Sequence, residues 1–174
     1  FHNEKATYHK SDIADYNSIE PLFKEVDYVF HLAAESRIQP TLERPQDACV
    51  TNFVGTCNVL QASRLHGVKK VMYSSTSSGY GLKNEIPLRE DMSRDCLNPY
   101  AVTKVAAEDL VKMYYTLWDL PTVIFRYFNI YGDREPTKGQ YAPVVGLFLK
   151  QNKNGEAMTI VGDGNQRRDF TNVA

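Results

Sequence analysis

The chain has 174 residues, of which 43% are apolar and 11% aromatic, enough for a sizeable hydrophobic core and too many for a disordered chain. Twenty basic and 21 acidic residues give a net charge of −1, so the charge balance indicates neither a nucleic-acid partner nor an anionic membrane surface. No apolar run approaches the roughly 20 residues of a membrane span.

The three cysteines, Cys49, Cys57 and Cys96, show no metal-ligand spacing and cannot all pair with one another. We therefore expect no metal site and a reducing, cytoplasmic compartment. The chain begins with Phe1 rather than methionine and stops at residues 170–174 just after an apparent turn, so we interpret it as a piece of a longer protein.

Apolar runs alternate with segments of helical spacing along the chain. In order, we predict a strand over 6–9, a helix over 15–26, a buried strand over 27–34, a helix over about 47–66, a strand over 68–75, a helix over 99–118, a strand and loop over 121–132, a helix over about 141–153 and a strand over 157–162. Asp15 suits a helix start, Gly67 a helix end and Pro99 a first helical turn. Continuous apolar strands alternating with helices predict an α/β fold whose parallel sheet is covered on both faces.

Unusual residues follow three of the predicted strands. Ala33, Ala34, Glu35 and Ser36 follow the first, the run Ser74–Ser78 follows the second, and Tyr127–Asn129 follow the third. Ligands of parallel sheets bind beyond the carboxyl ends of the strands, so we expect a site at this edge. A simpler alternative for residues 74–78 is a turn whose hydroxyls bond to their own backbone.

Tyr100 and Lys104 lie four residues apart at the start of the predicted helix over 99–118, which puts them on the same face. Tyrosine, with an ordinary pKa near 10, is a poor base at neutral pH, but a neighbouring ammonium favours the phenolate. The alternative is an exposed Tyr and Lys of no special role. Because this helix should pack beside the strand that ends in the serine run, a hydroxyl of that run and Tyr100 could share a reacting group.

Six motifs occur in order with suitable intervals: HLAAES (31–36), NFVGT (52–56), YSSTSSGYG (73–81), NPYAVTK (98–104), RYFNIYG (126–132) and GDGNQRRDF (162–170). Together they resemble the nucleotide-sugar branch of the extended short-chain dehydrogenase/reductase family, which includes the UDP-sugar 4-epimerases. The resemblance implies a Rossmann-like, doubly wound parallel sheet that binds NAD, here residues 1–131, followed by the start of a smaller substrate-binding domain at 132–174.

The same resemblance implies a role for individual residues. Tyr100 matches the catalytic base, Lys104 the lysine that holds the nicotinamide ribose and lowers the pKa of the tyrosine, and Thr76 the hydroxyl that orients the substrate. The residues that match the cofactor site are Asp12 and Ile13 at the adenine, Leu32, Ala33 and Ala34 along the cofactor, Asn52 beside them, Ser74, Ser75, Tyr100, Lys104 and, on the nicotinamide side, Tyr127. Asn129 and Arg168 match residues that hold the substrate's diphosphate.

Simpler interpretations stand beside several of these assignments. Asp12 could be a turn residue, Asn52 an interior asparagine bonded to backbone, and Arg168 a solvated charge. Glu35 suits either a cofactor contact or solvent. We interpret His31 as a core histidine.

The implied reaction oxidises a sugar to its 4-keto form and reduces it again from the other face, with NAD regenerated. The nearest alternatives are a nucleotide-sugar 4,6-dehydratase and a decarboxylating relative. Dehydratases usually carry Asp-Glu directly after the catalytic threonine and decarboxylases tend to keep a glutamate there, whereas this chain has Ser77 and Ser78. The HLAAES string is common in dehydratases and favours that alternative. A non-catalytic dinucleotide-binding protein is a minor alternative, because such proteins typically lose the tyrosine or the lysine.

The family's glycine-rich phosphate loop, GxxGxxG, is absent, and the first glycine is Gly55. We therefore expect the first βαβ unit and the C-terminal part to be missing, which makes NAD binding by this chain alone doubtful. The resemblance further implies a nucleotide-sugar substrate of the UDP-hexose type and a possible homodimer through the helices near 47–66 and 100–118.

Overall fold

The computed structural model describes residues 3–135, 143–160 and 162–174. The chain divides into two compact units, Phe1–Arg126 and Tyr127–Ala174. Its elements are α1 (Tyr16–Ile19), a 3-10 helix (Glu20–Phe23), β1 (Tyr28–His31), α2 (Ile38–Glu43), α3 (Pro45–Ala48), a π-helix (Cys49–Val54), α4 (Gly55–Leu65), β2 (Lys70–Thr76), a second 3-10 helix (Ser77–Tyr80), α5 (Pro99–Trp118), β3 (Thr122–Tyr127), β4 (Asn129–Tyr131), α6 (Val144–Lys153) and β5 (Phe170–Asn172).

The first unit is built on a three-stranded sheet in the order β1-β2-β3. β1 and β2 run parallel, with Tyr28 opposite Lys70 and His31 opposite Tyr73. A parallel pair needs a crossover connection, which α2, α3, the π-helix and α4 provide. The predicted α/β fold with a parallel sheet is confirmed.

Helices α4 and α5 pack together against one face of this sheet. The core between them contains Leu60, Val71, Tyr73 and Val111, all fully buried. In the described part of the chain, the other face of β1 is open, and Phe30 is 68% exposed. The expectation that both faces are covered is therefore wrong for these residues. The apolar run of β1 shows only that its side chains favour burial, and here no described helix lies over them.

The helix boundaries follow local chemistry. The carboxylate of Asp15 accepts hydrogen bonds from the amides of Asn17 and Ser18, as predicted for a helix start, but the predicted helix over 15–26 is only α1 followed by a 3-10 turn that contains Pro21. α5 has the predicted bounds. The side chain of Asn98 caps its first turn, and Asp119, with φ of 52°, ends it.

Two predicted strands are wrong. Residues 6–9 and 157–160 form no strand in the structure, and Val161 lies outside the described residues. A short apolar run is a strand only where a neighbouring strand takes up its backbone hydrogen bonds.

In the second unit, β4 and β5 pair in parallel, with Asn129 opposite Phe170. β5 was not predicted, because residues 170–172 carry no alternating pattern. α6 matches the predicted helix over 141–153 from residue 144 onward, and residues 141 and 142 lie outside the described part.

Candidate active site

Thr76 is the last residue of β2 and the cap of the following 3-10 helix. Its hydroxyl oxygen accepts a hydrogen bond of 3.1 Å from the amide of Ser78, and its side chain is buried. This bond agrees with the interpretation of the serine run as a turn. The Thr76 hydroxyl only accepts in it, so its proton is still available for a hydrogen bond that orients a substrate.

The segment after Thr76 packs closely against α5. A Cβ added at Gly79 would lie 2.5 Å from Cγ2 of Val105, so only glycine permits this approach. Asp95 holds the segment that follows: its carboxylate accepts hydrogen bonds from the amides of Leu82 and Lys83, and its own amide donates to the carbonyl of Gly79. The Leu82 and Lys83 contacts hold the pKa of Asp95 below its usual range despite burial. Sequence reasoning missed Asp95, whose partners are 12 to 16 residues away.

Tyr100 and Lys104 occupy the first two turns of α5, as predicted, with Tyr100 half-buried and Lys104 only 2% exposed. The amino nitrogen of Lys104 lies 4.4 Å from the centroid of the Tyr73 ring. Burial lowers the pKa of Lys104 to about 8, while the charge of Glu108 acts in the opposite direction. The site thus contains a poorly solvated lysine.

Asn52 lies in the π-helix and is fully buried. Its carbonyl oxygen accepts from the amide of Glu35 at 2.8 Å, and its amide nitrogen donates to the carbonyl of Glu35 at 3.1 Å and to the hydroxyl of Thr103 at 3.0 Å. The residue therefore joins the segment after β1 to α5. These contacts are those of an interior asparagine bonded to backbone, and a direct cofactor contact stays a prediction.

His31 ends β1 and is buried. Its Nε2 atom lies 2.9 Å from the hydroxyl oxygen of Thr56, which itself donates to the carbonyl of Asn52. Because the hydroxyl proton is used in that bond, Nε2 of His31 is the donor to Thr56. Burial, together with the charge of Lys104, lowers the pKa of His31 to about 4. The neutral ring agrees with its interpretation as a core histidine.

An open cleft lies beside the segment before α1. It is lined by Lys10, Ser11, Asp12, Ile13, Ala33 and Thr51. Three residues assigned to the cofactor, Asp12, Ile13 and Ala33, therefore share one cleft.

The position of Ile13 in that cleft depends on α4. The side-chain amide of Asn58 donates to the carbonyls of Ile13 and Ala14, and a Cβ at Gly55 would lie 2.7 Å from the Ile13 side chain. The carboxylate of Asp12 accepts from the amide of Ala14, as a turn residue would. Asn58 was missed, and its only sequence signal is a polar residue within an apolar helix.

The remaining predicted residues are spread over both units. Leu32 is exposed after β1 and Ala34 is half-buried. Ser74 lies in β2, and the hydroxyl of Ser75 donates to Glu108 at 2.5 Å.

Tyr127 ends β3 and is 41% exposed. In the second unit, the amide of Asn129 donates to the carbonyl of Asp169, and Arg168 is exposed just before β5. The roles assigned to all these residues stay predictions.

Within residues 3–135, 143–160 and 162–174, no three His, Cys, Asp or Glu side chains come together as metal ligands would. Over the same ranges, no helix combines the length and apolar character needed to cross a membrane.

Comparisons with known proteins are consistent with one another. Residues 1–174 match the sequence model of the NAD dependent epimerase/dehydratase family. A UDP-glucose 4-epimerase of Mycolicibacterium smegmatis is 36% identical over 174 residues, covering 98% of this chain and 55% of the relative. A UDP-N-acetyl-alpha-D-glucosaminuronate decarboxylase of Bacillus cytotoxicus is 39% identical over 190 residues, covering 100% and 58%.

A solved structure of UDP-glucose 4-epimerase with UDP-glucose, from Thermotoga maritima, superimposes with a TM-score of 0.94 at 31% identity. It covers 99% of this chain and 57% of that protein. The chain therefore spans about half the length of the relatives it matches.

Proposed function

The chain belongs to the NAD dependent epimerase/dehydratase family, whose cofactor is NAD, and from this premise we propose that it is part of a nucleotide-sugar 4-epimerase. The substrate would be UDP-glucose or UDP-galactose, or an N-acetyl or uronate analogue. The observation that carries the proposal is the pair Ser77 and Ser78 directly after Thr76, because neither side chain can serve as an acid or base.

The residues of the first unit suit the cofactor. The cleft with Asp12, Ile13 and Ala33 offers apolar walls and a carboxylate acceptor, which fit an adenine group. When bound, NAD accepts and returns the hydride at carbon 4 of the sugar. We assign the rest of the cofactor contacts to the residues named for it above: Leu32, Ala34, Asn52, Ser74, Ser75, Tyr100, Lys104 and Tyr127.

The proton steps fall to two side chains. Tyr100 takes the proton of the sugar's 4-hydroxyl and later returns it, while Thr76 orients that hydroxyl by a hydrogen bond. Lys104, one turn further along α5, supplies positive charge in a poorly solvated setting, where it acts more strongly than in water. Asn129 and Arg168 would hold the diphosphate, a role suited to an amide donor and a guanidinium fork.

A decarboxylase is the second candidate, because the Bacillus cytotoxicus relative with that activity is 39% identical. A 4,6-dehydratase is less well supported, since elimination across carbons 5 and 6 needs an acid and a base where Ser77 and Ser78 stand. A non-catalytic dinucleotide-binding protein would not need Tyr100 and Lys104.

We also propose a homodimer and a cytoplasmic location. Leu65 on α4 and Val102 and Leu117 on α5 are more than half exposed, and apolar side chains on helix surfaces suit a subunit interface. Cys49, Cys57 and Cys96 are free thiols, as in a reducing compartment.

The deciding experiment incubates the intact gene product with UDP-glucose, UDP-N-acetylglucosamine or UDP-glucuronate and follows the sugar by NMR. We expect the 4-epimer of one of them to accumulate without added NAD being consumed. A 4-keto-6-deoxy sugar would replace the epimerase by a dehydratase, and a pentose product with release of carbon dioxide by a decarboxylase. Tyr100→Phe should remove turnover and leave the fold intact; substantial remaining activity would exclude Tyr100 as the base.

A further inference from the structure

Glu108 and Arg126 form a buried ion pair that the proton steps above do not use. Glu108, on α5, is 0% exposed, and Arg126, on β3, is 16% exposed. The guanidinium binds both carboxylate oxygens, with Nε at 2.9 Å and Nη2 at 2.7 Å. A buried pair of this kind adds little net stability over apolar residues of the same volume, since desolvation cancels much of the attraction. Net stability therefore does not explain why this ion pair is present.

The carboxylate of Glu108 has a third partner at the end of β2. The hydroxyl of Ser75 donates to Oε1 of Glu108, and Ser75 directly precedes Thr76 in the chain. Burial opposes ionisation of Glu108, but the hydrogen bonds of Arg126 and Ser75 outweigh it and lower its pKa. One charged carboxylate thus ties α5, β2 and β3 together.

Arg126 extends these contacts to the segment after Thr76. Its Nη1 donates to the carbonyl of Glu90 at 3.1 Å, and its guanidinium carbon lies 5.0 Å from the centroid of the Tyr80 ring. Tyr80 belongs to the 3-10 helix that the Thr76 hydroxyl caps. The ion pair therefore holds both sides of Thr76, the strand before it and the turn after it.

We propose that Glu108 is a positioning residue of the proposed active site, which fixes Thr76 against the helix that carries Tyr100 and stabilises the charged form of Lys104. Tyr100, Lys104 and Glu108 follow one another at intervals of four residues, so all three lie along one face of α5. The inference rests on the proposed function for its catalytic consequence, although the effect on Lys104 does not.

Within the described residues, the negative charge that supports the ammonium of Lys104 is that of Glu108. From α5, Lys104 is faced by Glu108, from β2 by the ring of Tyr73, and from β1 by His31, whose pKa of about 4 leaves it neutral near pH 7. Since burial already lowers the pKa of Lys104 to about 8, removing the negative charge of Glu108 should lower it further. Lys104 would then lose its charge at a lower pH.

The test substitutes Glu108→Gln in the intact protein and measures kcat and KM against pH. We expect kcat to fall by roughly 10- to 100-fold, KM to change less, and the alkaline limb of the kcat profile to move down by on the order of one pH unit. Asp109→Asn is the matched control: it removes the same charge one residue along α5, from an exposed pair with Arg94, and should leave the profile within about twofold.

Ser75→Ala keeps the charge of Glu108 and removes the hydrogen bond between Glu108 and β2. The affinity for NAD, measured separately, shows whether the cofactor contact assigned to Ser75 is lost as well, and kcat is compared at saturating NAD. Ser75→Ala should lower kcat by about tenfold with the alkaline limb unmoved, and it keeps the proposal testable if Glu108→Gln does not fold. The proposal would be overturned if Glu108→Gln had the kcat of the wild type and an unmoved alkaline limb. If only Ser75→Ala folds, a wild-type kcat in that variant would overturn it.

A second readout separates this inference from the proposed function. The Lys104 amine can be titrated by NMR, with Lys104→Met to assign the signal, in wild type and in Glu108→Gln. If no nucleotide sugar is turned over by the intact wild-type protein, the proposed function fails, and the titration still decides whether Glu108 acts on Lys104. An equal Lys104 titration in both proteins would overturn that effect whatever the activity.

Discussion

The amino nitrogen of Lys104 lies 4.4 Å from the ring centroid of Tyr73, in contact with an aromatic face and almost out of reach of water. A cation is attracted to that face, but less strongly than to bulk water. The contact therefore only partly offsets the cost of burying the charge. The buried charge of Lys104 therefore destabilises the folded chain.

Replacing this lysine should stabilise the chain. The pKa of Lys104 falls from an ordinary 10.5 to about 8 on folding, which corresponds to a cost of about 3 kcal/mol below pH 8. In Lys104→Met the cost disappears along with the contact to Tyr73, so we expect a net gain of roughly 1–2 kcal/mol at pH 7. Between pH 8 and 10.5 the unfolded wild type holds the proton that the folded protein has lost, so wild-type stability rises and the gap narrows.

Urea unfolding at several pH values measures this gain. Lys112→Met removes an exposed lysine from the same helix and should show no such pH-dependent difference. A Lys104→Met variant that is less stable than wild type at pH 7 would contradict the prediction.

His31 should make the chain sensitive to acid. Its pKa is lowered from 6.5 to about 4 on folding, so between these values the unfolded chain takes up a proton that the folded chain does not. Stability should therefore fall as pH drops from 6.5 to 4, by up to about 3 kcal/mol from this residue.

The comparison is with His31→Gln, which keeps a donor for Thr56 and does not titrate. Denaturation midpoints measured from pH 7 to pH 4 should fall less steeply in His31→Gln than in wild type. His9→Gln, a change at an exposed histidine, should follow the wild type. If the denaturation midpoints of His31→Gln and wild type fell equally steeply with pH, His31 would not be the source of the acid sensitivity.

Asn52→Ala should be costly, because it removes three hydrogen bonds and leaves the hydroxyl of Thr103 and the backbone of Glu35 without their buried partner. We expect a loss of about 2–4 kcal/mol in the free energy of unfolding. Asn58→Ala removes two bonds at a half-buried position and should cost roughly 1 kcal/mol. Equal losses in the two variants, measured by urea unfolding, would contradict the importance given to Asn52.

The proposed dimer can be tested on the exposed face of α5. Leu117 is 62% exposed, and a charge there would be buried unpaired in an interface between α4 and α5. We expect the intact protein to be a dimer by light scattering and Leu117→Glu to be mainly monomeric. Leu82→Glu, at an 86% exposed residue of a loop, should leave the dimer unchanged. A monomeric wild type would end the dimer proposal.

Sequence patterns were sufficient for some elements and not for others. α5 was predicted with its bounds, because Pro99 and an amphipathic repeat both act within one helix. The strands over 6–9 and 157–162 were predicted from apolar runs alone, and β5 was missed because its pairing with β4 is not visible in residues 170–172 themselves. Strand formation depends on a partner that the local sequence does not contain.

The residues of the candidate site likewise fall into those that the sequence could identify and those that it could not. Tyr100 and Lys104 could be paired from the sequence because they lie one helical turn apart, whereas Thr76 was chosen among the hydroxyls of its run through the family resemblance. Asn52 and Glu108 could not be given their structural roles, because the contacts of Asn52 reach 17 and 51 residues along the chain and those of Glu108 reach 18 and 33. No periodicity encodes such pairs.

Apolar periodicity, which is a property of single segments, was enough to predict the type of fold, and the family resemblance added the chemical groups of the candidate site. The charge states and positions of these groups depend on the folded structure. Burial against Tyr73 lowers the pKa of Lys104, and the carboxylate of Glu108 joins three elements at the end of β2. Both effects arise from desolvation and from contacts between distant segments, which exist only once the chain is folded.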